Sequence, residues 1–234
     1  MVMDTPRALI FDVFGTLVDW HGSIAREVAQ ILGMRVTDPA QFAIDWRARY
    51  QPAMDQVRNG ALPFCKLDVL HRHNLDQVLA DRGLHDVDEG TRTKLTLAWH
   101  RLDAWPDVAP GLRRLRERFR VAPCSNGNIS LMVDLARRNG LHWDAILGAE
   151  LARDYKPQPV VYRTAAAAFD CAPHQVLMVA AHASDLAAAA ACGLRTAHIA
   201  RPDEHGPGVG ERQADGPVDW QAQGLTDLAA QLGA

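Results

Sequence analysis

The chain has 234 residues, 48% of them apolar, with 25 Lys and Arg against 28 Asp and Glu for a formal charge of −3. That length and apolar content mark an ordinary globular chain, enough for one large domain or a core carrying a small insertion. Basic residues are scattered rather than stacked in runs, which sets aside nucleic acid and anionic membranes as partners.

In chain order, the opening MVMDTPRALIFD lacks the basic start, long apolar run and small-residue cleavage site of a secretory leader. No stretch approaches about 18 uninterrupted apolar residues, so a cytoplasmic protein that does not span a membrane is expected. Residues 7 to 13 read as a short buried strand. From 20 to 100 the pattern changes to amphipathic helices at 23–32, 39–57, 64–82 and 89–101, with no strand between them. This predicts a helical cap over 20–100, inserted into a core formed by 1–19 and 101–234. The core resumes with a helix at 111–118, a strand at 119–124 and a helix at 129–139. A helix at 158–169, a strand at 176–181, a helix at 184–191 and a strand at 195–199 follow, several helices being closed by glycines such as Gly140 and Gly193. Such alternation predicts an α/β fold, a Rossmann-like doubly wound parallel sheet with helices on both faces. Residues 201–217 are rich in Gly, Pro and charge and read as an exposed loop. Cys65, Cys124, Cys171 and Cys192 stand far apart with no C-x-x-C pair, which argues against zinc, redox chemistry and disulfides.

The polar residues that end the strands carry the chemistry. FDVFGT (11–16) puts Asp12 after an apolar run, CSNG (124–127) follows the second strand, KPQPVVY (156–162) opens a helix, and HASD (182–185) follows the third strand. Singly, each has a plain reading. Asp12 and Asp185 suit turns and helix N-caps, Ser125 and Asn126 a helix start, and Lys156 the surface beside a proline-led helix. In order and spacing, however, the four resemble the motifs of the haloacid dehalogenase superfamily, most closely its L-2-haloacid dehalogenases. The likeness covers nearly the whole chain, because the helical insertion after the first motif also fits that branch.

That resemblance implies roles residue by residue. Asp12 is the nucleophile that forms an ester intermediate, a task open to a carboxylate when the reacting carbon is held in line. Gly15 permits the tight turn, and Thr16 can hold the Asp12 carboxylate through its hydroxyl. Ser125 binds the substrate carboxylate with Asn126 as helper, at a helix start whose amides suit an anion. Lys156 keeps the nucleophile ionised beside another acid, Asp185 orders the site or positions water, and Tyr162 completes the set. In the W-R pair at 46–47, Arg47 resembles the arginine that accepts the leaving halide, a guanidinium that stays charged throughout. Phe64 is a candidate for the apolar lining. Phe14 stands where superfamily phosphatases carry a second Asp that protonates the leaving oxygen, and a phenyl ring cannot do so. A halide needs no such acid.

The HASD stretch departs from the branch, whose well-known members resemble S-S-N-A-W-D where this chain reads Ala180-Ala181-His182-Ala183-Ser184-Asp185. His182 at the mouth of the sheet is expected either to donate to a departing halide or to act as a base on water, and Ser184 to replace an apolar wall with a donor. The other nine histidines are read as surface or satisfied core residues. The expected reaction is displacement of halide from short 2-haloacids (haloacetates, fluoroacetate among them, and L-2-halopropionates), then hydrolysis to a 2-hydroxy acid. No metal or other cofactor is implied, and related dehalogenases are often homodimers. Two alternatives stay open: a phosphatase or phosphonatase of the same fold using Mg²⁺ on Asp12 and Asp185, and a non-catalytic scaffold, against which Asp12 and Lys156 both speak.

Overall fold

A parallel strand buried on both faces reads as an unbroken apolar run, and the first such run becomes the middle of the sheet. The computed structural model describes residues 5–234. The first four residues, which open both the 1–19 core segment and the stretch read for a leader, lie outside it. β1 (Ala8–Phe11) is followed by the two-residue strand β2 (Val18–Asp19) and by helices α1 (Trp20–Leu32), α2 (Pro39–Ala48), α3 (Tyr50–Arg58), α4 (Leu67–Asp81) and α5 (Glu89–Thr96). A 3-10 turn, Leu97–Arg101, leads into β3 (Asp103–Ala104), which runs antiparallel to β2 with Val18 opposite Ala104. This ribbon draws together the two ends of the helical cap.

The core continues through α6 (Val108–Arg116), β4 (Arg120–Ser125), α7 (Ile129–Asn139), β5 (Leu147–Gly148), α8 (Ala149–Ala152) and α9 (Pro159–Ala168). It closes with β6 (Val176–Ala180), α10 (Ala183–Ala191), β7 (Arg195–Ile199), β8 (Trp220–Ala222) and α11 (Leu225–Gln231). The six strands lie in the order β5-β4-β1-β6-β7-β8 and pair in parallel throughout. Strand alternation divides the core: Leu9 and Phe11 of β1 face one apolar cluster, shared with the cap, while Ala8 and Ile10 face the other. Between β4 and β6 the chain switches sides of the sheet, so a crevice opens beyond the carboxyl end of β1. Asp12 stands there. No described helix is long and apolar enough to cross a membrane, and all four cysteines are free.

The structure differs from the sequence reading at several points. The helix expected over 39–57 is two helices with Arg49 between them. Pro52 lies in the first turn of α3, where it lacks the N–H that a continuous helix would donate to Ala48 and its ring would clash with that carbonyl. The strands β2, β3, β5 and β8 are too short to show any periodicity. Finally, the 201–217 loop is not uniformly exposed. Arg201 and Glu204 are buried, Arg201 donating to both oxygens of Asp107 at 2.9 Å and to the Thr16 carbonyl at 2.8 Å.

Candidate active site

Asp12 continues β1 by one backbone bond, its N–H donating to the Val179 carbonyl at 2.9 Å, and its side chain is 9% exposed at the sheet's carboxyl edge. Thr16 Oγ1 accepts the Ala181 N–H at 2.8 Å, which turns its own hydroxyl proton to Asp12 Oδ2, 2.7 Å away. Lys156 Nζ donates to Asp12 Oδ1 at 2.8 Å and to Asp185 Oδ2 at 2.5 Å. The other oxygen of Asp185 accepts the Tyr162 hydroxyl. Asn126 Oδ1 accepts the Lys156 backbone N–H at 2.8 Å, tying the end of β4 to the lysine loop.

Electrostatics follow from this packing. Burial raises the Asp12 carboxyl, but Lys156 and His182 overcome it and hold the group well below the usual carboxylate range. Burial works against the Lys156 ammonium as well, and the two aspartates more than restore it. The Tyr162 phenol is raised by burial and by the charge of Asp185, so it stays a donor.

His182 caps the start of α10 and stands between two carboxylates. Its Nδ1 lies 3.2 Å from Asp12 Oδ2, and its Nε2 lies 3.0 and 2.9 Å from the two oxygens of Glu204. Burial disfavours the imidazolium, yet the hydrogen bonds to Asp12 and Glu204 push it up to about 10. The sequence reading of His182 as a donor to a departing halide is therefore revised: in the resting site both ring nitrogens already face carboxylates. Glu204 is 1% exposed and also accepts Trp20 Nε1–H at 3.1 Å. It fits because residue 15 is glycine. Gly15 has φ +83°, and a Cβ there would lie 2.1 Å from Glu204 Oε1.

The cap supplies a different surface. Arg47 holds its guanidinium carbon 3.9 Å from the Tyr50 ring centroid, 5.4 Å from Trp20 and 5.9 Å from Phe14. Its buried Nη1 has no hydrogen-bond partner within the protein. Phe14 packs edge-on to Trp99 at 5.9 Å and to Tyr50 at 6.3 Å. Together with Asp12, Asn126, Lys156, His182, Ser184, Asp185 and Glu204, Phe14 and Arg47 line one cleft of about 1000 Å³.

Other expected residues lie elsewhere. Phe64 packs on Tyr155 at 5.4 Å and under Arg153 at 4.7 Å, away from the cleft wall. Ser125 is fully buried at the end of β4, its Oγ accepting the Gly127 N–H at 3.0 Å, and the wall residue of that pair is Asn126. The α7 start is also partly taken: the Ile129 N–H donates to Glu150 at 2.7 Å. Thr16 and Tyr162 sit behind the wall, bonded to its two carboxylates. His71 is buried with neither nitrogen paired within the protein, so it is not the satisfied core histidine expected. Burial pushes it down to about 3 and keeps it neutral.

A magnesium ion fits this donor set poorly. The facing oxygens of Asp12 and Asp185 both accept from Lys156 Nζ, which puts an ammonium between them, and Phe14 offers no ligand. No group of three His, Cys, Asp or Glu side chains suited to a metal occurs among the described residues.

A family model for haloacid dehalogenase-like hydrolases matches residues 6–193. The chain belongs to that family. Within it, this hydrolase falls in the L-2-haloacid dehalogenase branch. It is 30% identical over 202 residues to (S)-2-haloacid dehalogenase 1 of Pseudomonas sp. (strain CBS-3), covering 85% of this chain and 86% of the relative. Haloacetate dehalogenase H-2 of Moraxella sp. (strain B) is 28% identical over 198 residues, covering 83% and 86%. Among solved structures, a defluorinating L-2-haloacid dehalogenase is 45% identical with a TM-score of 0.94, covering 98% of this chain and 96% of that one. Glu204 lies beyond the stretch that the family model matches. Sequence reasoning missed it because one acid in a Gly- and Pro-rich loop has no periodicity to mark it. The available signal was position: the loop leaves the carboxyl end of a parallel strand, where α/β sheets gather their sites.

Proposed function

We propose that this dehalogenase removes halide from short 2-haloacids, haloacetates and L-2-halopropionates among them, through an ester on Asp12, giving 2-hydroxy acids. The observation that supports it best is the pairing, in one cleft, of an ionised buried carboxylate with Arg47, whose Nη1 has no partner within the protein. An oxygen of Asp12 attacks C2; the C–O bond forms as the carbon–halogen bond breaks, and the halide leaves with the bonding pair. Arg47 receives that charge with fixed donors in an aromatic cradle, where low polarity strengthens the interaction. Lys156, held against both aspartates, keeps Asp12 ionised, and Asp185 with Tyr162 fixes the lysine. Asn126 meets the substrate carboxylate on the cleft wall, with Ser125 bracing the turn behind it, and Phe14 is the apolar wall beside C2. Water then cleaves the ester. No step calls on a metal, in keeping with the ammonium that both carboxylates accept.

Halide release from L- and D-2-chloropropionate, chloroacetate and fluoroacetate, with and without EDTA, tests this reading. Release that survives EDTA and vanishes in Asp12→Asn is expected. Mg²⁺-dependent turnover of a phosphonate or phosphate ester, with no halide released, would sink it.

A further inference from the structure

Ester hydrolysis needs a base, and the resting site holds none that is free. Both oxygens of Asp185 are engaged, one by Lys156 Nζ at 2.5 Å and the other by the Tyr162 hydroxyl. Glu204 also lines the cleft, but it is 1% exposed and both of its oxygens are engaged by His182 Nε2. His182 is different. It lines the cleft, its side chain is 24% exposed, and its Nδ1 is aimed at the carboxylate that becomes the ester.

Resting on the dehalogenase reading above, we propose that His182, held by Glu204, is the base that activates water against the Asp12 ester, and that forming the ester is what switches it on. While Asp12 is ionised, the imidazolium has a carboxylate on each side and no lone pair. Alkylation turns Asp12 into a neutral ester, and the cation loses the anion at Nδ1. Lys156, bonded to the same aspartate, remains nearby and repels it, as does Arg47 across the cleft. His205, 3.7 Å from Glu204, Asp185, His198, and Glu211, which accepts the Ala183 N–H, complete the titratable surroundings. The Nδ1 proton passes to solvent, while the Nε2–H stays on Glu204. This leaves a neutral imidazole with its lone pair toward the ester and its tautomer fixed by a carboxylate.

The protons then balance. Water gives one proton to Nδ1 and its oxygen bonds to Cγ of Asp12. The Cγ–O ester bond breaks, and the departing alkoxide takes the proton from Nδ1 to become the hydroxy acid. The regenerated Asp12 carboxyl returns its proton to Nδ1, which restores the resting ion pair. Over the cycle one proton reaches solvent with one halide, as hydrolysis of a carbon–halogen bond requires. Glu204 acts through His182 and is a positioning residue. Its seat is built by the Trp20 Nε1–H and by the missing side chain of Gly15.

The two half-reactions provide the test. His182→Asn and Glu204→Gln are mixed with chloroacetate in a rapid-quench experiment that follows free chloride and the intact protein mass. Both variants are expected to release about one equivalent of chloride per site in a burst, then stall with a carboxymethyl ester on Asp12. Steady turnover should fall about 10²- to 10⁴-fold for His182→Asn and less for Glu204→Gln, whose near-isosteric side chain guards against misfolding. A burst that slows in step with turnover, without ester, would overturn the proposal, as would unchanged turnover in both variants. If the parent enzyme itself releases no halide, the dehalogenase reading has failed instead.

Discussion

The two walls of the cleft are built on opposite plans. On the core wall the carboxylates and cations are paired: Asp12 with Lys156 and His182, Asp185 with Lys156 and Tyr162, Glu204 with His182 and Trp20. On the cap side Asp55 and Arg58 pair with each other, but Arg47 Nη1 on the wall, and beyond the lining both nitrogens of His71, Trp99 Nε1 and Asn74 Nδ2, are buried without a partner in the protein. Since an unpaired buried polar group costs about 1–3 kcal/mol, the second plan is tolerated only where something else is gained. The contrast separates two jobs. The paired wall holds reacting groups still, and the unpaired, aromatic wall receives.

Removing a group from the paired wall should therefore be far more damaging. Asp12→Asn is expected to lower halide release to below about one-thousandth of the parent, since it deletes the nucleophile. Lys156→Met should nearly abolish turnover too, and should also cost about 3–5 kcal/mol in chemical denaturation, because two buried carboxylates lose the charge between them. On the receiving wall, Arg47→Lys should cost about 10²-fold in kcat with little change in stability, and more for fluoroacetate than for chloroacetate. An equal loss for both substrates would erase the distinction between the walls.

Smaller effects sharpen the comparison. His182 is raised in the folded chain, so its ion pairs add stability that is complete below about pH 6.5 and fades as pH rises toward about 10. Asp12 is depressed and acts with the opposite sign: its contribution is present above the ordinary carboxylate range and fades as the pH falls below it. Melting temperatures from pH 6 to 10 should fall less steeply for His182→Asn than for the parent. Smallest of all, His71→Leu should change stability by no more than about 1 kcal/mol, because loss of the 4.3 Å stack on Trp99 is offset by removing two unpaired nitrogens. A melt beside the parent protein checks this.

Most of the paired wall was legible in the sequence. Asp12, Asn126, Lys156 and Asp185 follow strand ends or open helices, and parallel sheets bring such positions to one edge whatever their distance along the chain. Arg47 was legible only through the resemblance of its W-R pair to that of the family, and the structure puts it on the cleft wall. Glu204 and Trp20 were not, because contact between a loop and a cap helix leaves no local pattern. Phe64 misled for a related reason: an aromatic residue beside the cap helices fits a cleft wall or a cap–core seam equally well, and here it packs on Tyr155. Ser125 shows that a motif residue can reach the right strand end and still turn its hydroxyl inward, toward the Gly127 amide.

The balance of charge around the cleft bears on how substrate arrives. Asp12, Asp55, Asp185 and Glu204 line it, and so do Arg47, Arg58, Lys156 and His182. Asp55 is paired with Arg58, and the other three acids with Lys156 or His182. Arg47 is the lining cation without a carboxylate partner among the described residues. Seen from solvent, then, the mouth carries almost no net field, and an anion receives little long-range pull toward it. Capture would rest on diffusion and on contacts made after entry. The second-order rate constant for a haloacid should hence vary little between dilute and physiological salt, where a funnel of one sign would slow markedly as the Debye length shrinks.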